Sequence, residues 1–76
     1  MIFEKKLIVE GTGDPIRAKK YIDIFARATW DYDLRVVHEY DGKKWYLVYG
    51  RVTKPQSNQI RRDIHNMDVP SILRKS

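Results

Sequence analysis

The sequence has no cysteine, so neither a disulfide nor a thiolate metal site can stabilise the chain. A domain of 76 residues is near the lower size limit for folding without such cross-links, so side-chain packing must supply its stability. Eighteen Ile, Val and Leu residues and nine aromatic residues are available for that purpose. We therefore expect one small domain over residues 1–76, with residues 74–76 frayed at its end.

Long hydrophobic runs are also missing. The longest, Trp45 to Tyr49, has five residues, whereas a membrane-spanning helix needs about 20. A secretory signal is not predicted either, because the short run from Leu7 to Val9 ends at Glu10. These features predict a cytoplasmic protein without a membrane partner.

Acidic residues are absent from Gly42 to Arg62, a window that holds six basic residues. Residues 1–41 contain seven basic and eight acidic side chains, a net charge of −1. Residues 42–76 contain eight basic and two acidic side chains, a net charge of +6. Because clustered Lys and Arg bind phosphate polymers through counterion release, this asymmetry indicates a nucleic-acid partner. The charge alone fits DNA and RNA, as single strands or as duplexes.

Two helices are predicted. Asp14 and Pro15 combine an N-cap carboxylate with a residue whose φ suits the first helical turn, which predicts a helix over residues 15–29. Pro55 opens a second helix. The predicted buried stripes are Ala18, Tyr21, Ile22, Phe25 and Ala28 on the first helix, and Ile60, Ile64 and Met67 on the second.

Three strands are predicted around these helices. Residues 2–10 form the first, which a turn at Gly11-Thr12-Gly13 ends. Asp41-Gly42 joins Leu34–Tyr40 and Lys44–Thr53 into a hairpin. Residues 69–73 fit either a short edge strand or a final helical turn.

The element order is therefore β-α-β-β-α, with residues 69–73 as an optional last strand. A right-handed β-α-β crossover followed by a tight hairpin places the third strand between the first two and both helices on one face. The predicted fold class is α+β, a two-layer α/β sandwich of ferredoxin-like type. Its sheet would have three or four strands and be mostly antiparallel.

A hairpin loop of two or four residues divides the side chains of the two strands between two faces. The predicted core face carries Leu34, Val36, His38, Tyr40, Trp45, Leu47 and Tyr49, so Trp45 and Tyr49 are interpreted as structural. The predicted open face carries Arg35, Val37, Glu39, Lys44, Tyr46 and Val48. Tyr46 is therefore the candidate for base stacking. A three-residue loop would change this division.

No catalytic or metal-binding group is predicted. His38 falls on the predicted core face and His65 on the exposed side of the second helix, and neither has a fixed spacing to a second catalytic group. The Gly11-Thr12-Gly13 segment lacks the third glycine and the lysine of known phosphate loops. We therefore expect a protein without enzymatic activity, cofactor or metal.

The sequence thus favours a small non-enzymatic nucleic-acid-binding protein that acts through backbone electrostatics with weak sequence preference. A second basic surface is predicted on the two helices, with Ile24 among the cations of the first; Asp23 and Asp63 interrupt it, and it is interpreted as a solvated face. It consists of Arg17, Lys20 and Arg27 on the first helix and Arg61 and Arg62 on the second. The predicted nucleic-acid contacts are Arg35, Lys43, Lys44, Tyr46, Arg51 and Lys54, with Arg61 and Arg62 as secondary contacts.

The alternative function is a protein–protein interaction module, such as a small regulator or inhibitor of viral or mobile-element origin. It would use the half-apolar open sheet face or an exposed strand edge to bind a protein partner or to form a homodimer.

Overall fold

The computed structural model describes residues 4–38 and 41–68. Glu39, Tyr40 and the segment 69–76, which includes the optional last strand, lie outside the described residues, as does the start of the predicted first strand. The elements within the described ranges are β1 (Lys6–Thr12), α1 (Pro15–Ala28), β2 (Tyr32–His38), β3 (Lys44–Val52) and α2 (Lys54–Asp68). The α+β class is therefore confirmed. Neither α1 nor α2 is long and apolar enough to cross a bilayer.

The three strands in the described part of the chain form one antiparallel sheet. β3 lies between β1 and β2 and pairs with both. The predicted turn at Gly11 and Thr12 is wrong, because β1 continues through these residues, which pair with Leu47 and Tyr46. The chain turns at Gly13, where the Thr12 hydroxyl oxygen accepts a hydrogen bond from the Asp14 N–H at 3.1 Å.

Helix α1 begins where the sequence predicts. The Asp14 carboxylate accepts a hydrogen bond from the Ile16 N–H at 2.9 Å, and Pro15 occupies the first turn. The stripe prediction is confirmed for Ala18, Tyr21 and Phe25, which are buried. Ile24, predicted away from this stripe, is buried as well, because α2 packs against that side of α1.

The core is a single cluster that joins both helices to the central strand. Its buried members include Phe25 of α1, Ile60 of α2, and Val48 and Val52 of β3. The last two residues share one face of β3 because side chains alternate along a strand. Ile64 and Met67 pack against the margin of this cluster, which confirms the stripe predicted for α2.

The hairpin pairs in a different register from the predicted one. His38 lies opposite Lys44, and Leu34 lies opposite Val48. An odd number of residues therefore lies between the members of each pair, whereas a loop of two or four residues would give an even number. Gly42 provides the positive φ of +85° that this turn requires.

This odd spacing exchanges the predicted faces of β3. Val48, predicted on the open face, is fully buried, and Tyr46 lies on the same side as Val48 and is half-buried. Trp45, predicted to be in the core, lies on the opposite face together with Leu47 and Tyr49. The residues of β2 that are predicted in the core lie on the same face as Val48, but they are exposed at the margin of the sheet. They are Leu34, Val36 and His38.

A bidentate ion pair connects the first turn of α1 to the last residue of α2. Both terminal nitrogens of Arg17 lie 2.7 Å from the Asp68 carboxylate oxygens, and its Nε donates to the Tyr21 hydroxyl at 2.7 Å. The hydrogen bond to Arg17 holds the pKa of Asp68 below its usual range and raises the pKa of Arg17. Arg17 is therefore occupied by protein partners rather than presented to a ligand.

Candidate nucleic-acid interface

A groove of about 600 Å³ lies between β1 and the first two turns of α2. We call it the basic groove, because three cations line it, Lys6 from β1 and Lys54 and Arg61 from α2. Glu4 is the one acidic residue among its described lining residues, so these side chains carry a net charge of +2. Ser57 and Asn58 add neutral hydrogen-bonding groups to the same wall.

The start of α2 orients two of these cations, Lys54 and Arg61, toward the groove. The Thr53 N–H donates to the Gln56 side-chain oxygen at 2.8 Å, and the Gln56 N–H donates back to the Thr53 hydroxyl at 3.5 Å. This reciprocal cap fixes the first turn of the helix. Residues seven apart on a helix lie on nearly the same side, so Lys54 and Arg61 face the groove together.

The remaining predicted contacts are distributed over other surfaces. Arg35 and Arg51 lie on the face of the sheet that points away from Val48. There Arg35 pairs with Leu47, and Arg51 pairs with Leu7. Lys43 lies at the hairpin, its Nζ 3.9 Å from a carboxylate oxygen of Asp41. Three more predicted contacts lie neither in the groove nor on the sheet face of Arg35 and Arg51. They are Lys44 at the start of β3, the half-buried Tyr46, and the exposed Arg62 of α2. The eight predicted contacts therefore do not form one footprint.

A second groove, of about 480 Å³, lies between the two helices. Lys20 and Arg27 line it, but Asp23 and Asp63 line it too, so these four charges cancel. The interpretation of this helical surface as a solvated face is consistent with that balance. It offers a polyanion no net attraction, and the basic groove is the better candidate.

The sheet face opposite Val48 carries a half-exposed tryptophan. We call this surface the outer sheet face; its members are Leu7, Val9, Asp33, Arg35, Val37, Trp45, Leu47, Tyr49 and Arg51. The indole of Trp45 lies against two glycines of the neighbouring chain segment. A Cβ atom at Gly11 would be 2.6 Å from its Nε1, and one at Gly13 would be 3.3 Å from its Cζ3.

Sequence reasoning missed two members of these surfaces. Lys6 precedes the acid-free window, so the charge pattern does not mark it, and the predicted hairpin register puts Trp45 in the core. The available signal for Trp45 was the pair of glycines two residues apart, since glycine in or beside a strand often marks the close approach of another group.

No protein family, curated protein or solved structure matches this chain. The functional argument therefore rests on the surfaces themselves. In residues 4–38 and 41–68, no three His, Asp or Glu side chains lie close enough together to hold a metal ion. His38 and His65 are both exposed. His38 lies on the predicted face of β2, which Val48 shares, but at its exposed margin, and the exposed position predicted for His65 is confirmed.

Proposed function

We propose that this chain is a non-enzymatic nucleic-acid-binding protein that contacts the phosphate backbone of DNA or RNA with weak sequence preference. The observation that carries the proposal is the convergence of Lys6, Lys54 and Arg61 on the basic groove. These cations come from two elements far apart in sequence, so the fold gathers charge that the sequence separates. Contacts to phosphate oxygens fix the position of a nucleic acid but carry no direct sequence information, which explains the weak preference.

Replacing Arg61 with glutamine is expected to weaken binding to single- and double-stranded oligonucleotides of unrelated sequence alike. The loss of one phosphate contact should also reduce the steepness of the salt dependence. The slope of log affinity against log salt changes by about 0.9 per contact on B-form DNA and about 0.7 on single strands. Fluorescence-anisotropy titrations at several salt concentrations between about 50 and 200 mM measure both quantities.

Arg62→Gln is the matched control. It removes the same charge from the next residue of the same helix, and Arg62 does not line the basic groove. We expect this variant to retain the slope of the wild-type protein. Equal effects of the two substitutions would show that only net charge matters, and a wild-type protein that binds no nucleic acid near 50 mM salt would refute the proposed function.

A protein–protein interaction module is the second candidate, and the edge of β2 favours it. All seven residues of β2 are exposed. The Arg51 N–H donates to the Asp31 carbonyl, and by alternation along the ladder the N–H of Val36 points away from β3. An outward N–H of this kind is a template for pairing with a second copy of the chain.

If this edge forms a homodimer, sedimentation velocity is expected to show a concentration-dependent dimer that salt does not dissociate. Val36→Pro removes the outward donor while leaving the β2–β3 hydrogen bonds intact, so it should give a monomer. A wild-type protein that sediments as a monomer at all concentrations up to about 0.5 mM (roughly −4.5 kcal/mol of association free energy) would exclude the dimer.

We further infer a ferredoxin-like arrangement, with α1 and α2 both covering the face of β3 that bears Val48 and Val52. The buried cluster supports it, because Phe25 and Ile60 contribute to the same core as those two valines. The outer sheet face is then the side of the sheet available to ligands.

A further inference from the structure

The position of Trp45 suggests what kind of nucleic acid the protein binds. The indole lies across Gly11 and Gly13; a Cβ atom at Gly11 would come within 2.6 Å of its Nε1, and 39% of the tryptophan is exposed. Because the glycines carry no Cβ atom, the ring can lie against the sheet, and part of it remains accessible. An aromatic side chain that is already ordered loses little further entropy when a planar group stacks on it.

The charges around Trp45 favour a polyanion as the occupant of this face. Arg35 and Arg51 project from it, with Asp33 as the opposing acid. Leu7 belongs both to this face and to the lining of the basic groove, so the two surfaces are continuous. Together they present five cations and two acids, because the groove adds Lys6, Lys54 and Arg61 against Glu4.

The dimensions of the face suit an extended chain. Trp45, Leu47, Tyr49 and Arg51 follow one another at alternate positions of β3, and alternate residues of a strand are about 6.7 Å apart. The backbone positions of Trp45 and Arg51 are therefore about 20 Å apart along the strand. A strand of several nucleotides can stack on Trp45 and still reach Arg51 and the basic groove with its phosphates.

We propose that the outer sheet face binds single-stranded nucleic acid, with an unpaired base stacked on Trp45. This inference rests on the proposed function and specifies its ligand. A duplex keeps its bases stacked within its own helix, so only a single strand can offer the face of a base to the indole. Duplexes are left with the electrostatic contacts alone.

Three substitutions by apolar residues test the proposal by anisotropy, with a single-stranded oligonucleotide of mixed sequence and its duplex as probes. Trp45→Leu should weaken single-strand binding by about 5- to 150-fold, the range that corresponds to a lost stacking contact, and leave duplex binding within about twofold. Trp45→Phe keeps an aromatic ring and should retain most of the single-strand affinity. Trp30→Leu is the positional control, since Trp30 is 86% exposed but lies in the α1–β2 connection.

Several outcomes would overturn the proposal. The first is an equal loss of single-strand affinity for Trp45→Leu and Trp45→Phe, and the second is a loss for Trp30→Leu as large as that for Trp45→Leu. The third is a Trp45→Leu variant that loses as much duplex affinity as single-strand affinity. The last is a dimer that Trp45→Leu dissociates. Thermal melting of each variant separates a binding defect from misfolding, and the Phe variant remains informative if the Leu variant does not fold. Duplex binding with a normal salt slope but no dependence on Trp45 refutes only this inference, whereas failure to bind either probe refutes the proposed function.

Discussion

Val48→Asp is expected to unfold the protein at room temperature. Val48 is fully buried in the cluster that includes Phe25 and Ile60. A carboxylate there would have no cation to pair with among the buried cluster residues, and burying an unpaired charge is among the few changes that cost more than about 4 kcal/mol. Because domains of this size have little stability in reserve, circular dichroism should show loss of the folded signal.

Val37→Asp is the control for this prediction. Val37 lies on the outer sheet face opposite Trp45 and is 39% exposed, so its carboxylate would remain in water. We expect the unfolding free energy to fall by less than about 1 kcal/mol. The two variants also distinguish the hairpin register of the structure from the one predicted from the sequence, because a shift of one residue exchanges the two faces of β3. A stable Val48→Asp protein would show that the observed pairing is wrong.

Gly50→Ala is expected to destabilise the protein by about 1–3 kcal/mol, the usual cost of adding a methyl group to a filled site. The added Cβ would lie 2.8 Å from the Asp31 carbonyl oxygen and 3.3 Å from Cδ2 of Phe25. The carbonyl accepts a hydrogen bond from the Arg51 N–H, so it cannot withdraw without breaking the ladder. For a domain of this size the melting temperature should fall by about 4–8 °C per kcal/mol.

Gly13→Ala provides a comparison at a site where the neighbouring group is a side chain that can move. Its Cβ would lie 3.3 Å from the outer ring of Trp45, and that side chain is partly free in solvent. We expect a change of less than about 1 kcal/mol in the unfolding free energy. If the alanine variants at 50 and 13 melt at the same temperature, the Asp31 carbonyl is not the obstacle inferred at Gly50.

The helices could be predicted from the sequence because local chemistry determines their ends. Asp14 and Pro15 cap α1 in the same way in any context, and Ile60, Ile64 and Met67 recur at a spacing that only a helix places on one side. Both predictions hold within the described residues.

The faces of β3 could not be predicted, because both of its alternating sets are apolar or aromatic. Trp45, Leu47 and Tyr49 form one set, and Tyr46 and Val48 form the other. With no contrast between them, the choice depends on whether the number of loop residues is odd or even. Asp41-Gly42 signals a turn but does not fix that number. The exposed Trp45 was missed for this reason.

The candidate site was predicted in part for a related reason. Sequence reasoning identified Lys54 and Arg61 from the acid-free window, and both line the basic groove. It could not associate them with Lys6, because the groove is lined by residues of β1 and of α2 that are about fifty positions apart. Proximity of that kind is a property of the sheet order, which no local pattern specifies.

The alternation along β3 also separates two kinds of constraint on neighbouring positions. Even-numbered residues such as Val48 and Val52 hold the core, whereas odd-numbered ones such as Trp45 and Tyr49 contact the outside. Loss of a single residue within β3 would turn one half of the strand over relative to the other. Substitutions of the outward side chains therefore leave the core packing intact, whereas a change in the length of this strand would disrupt it.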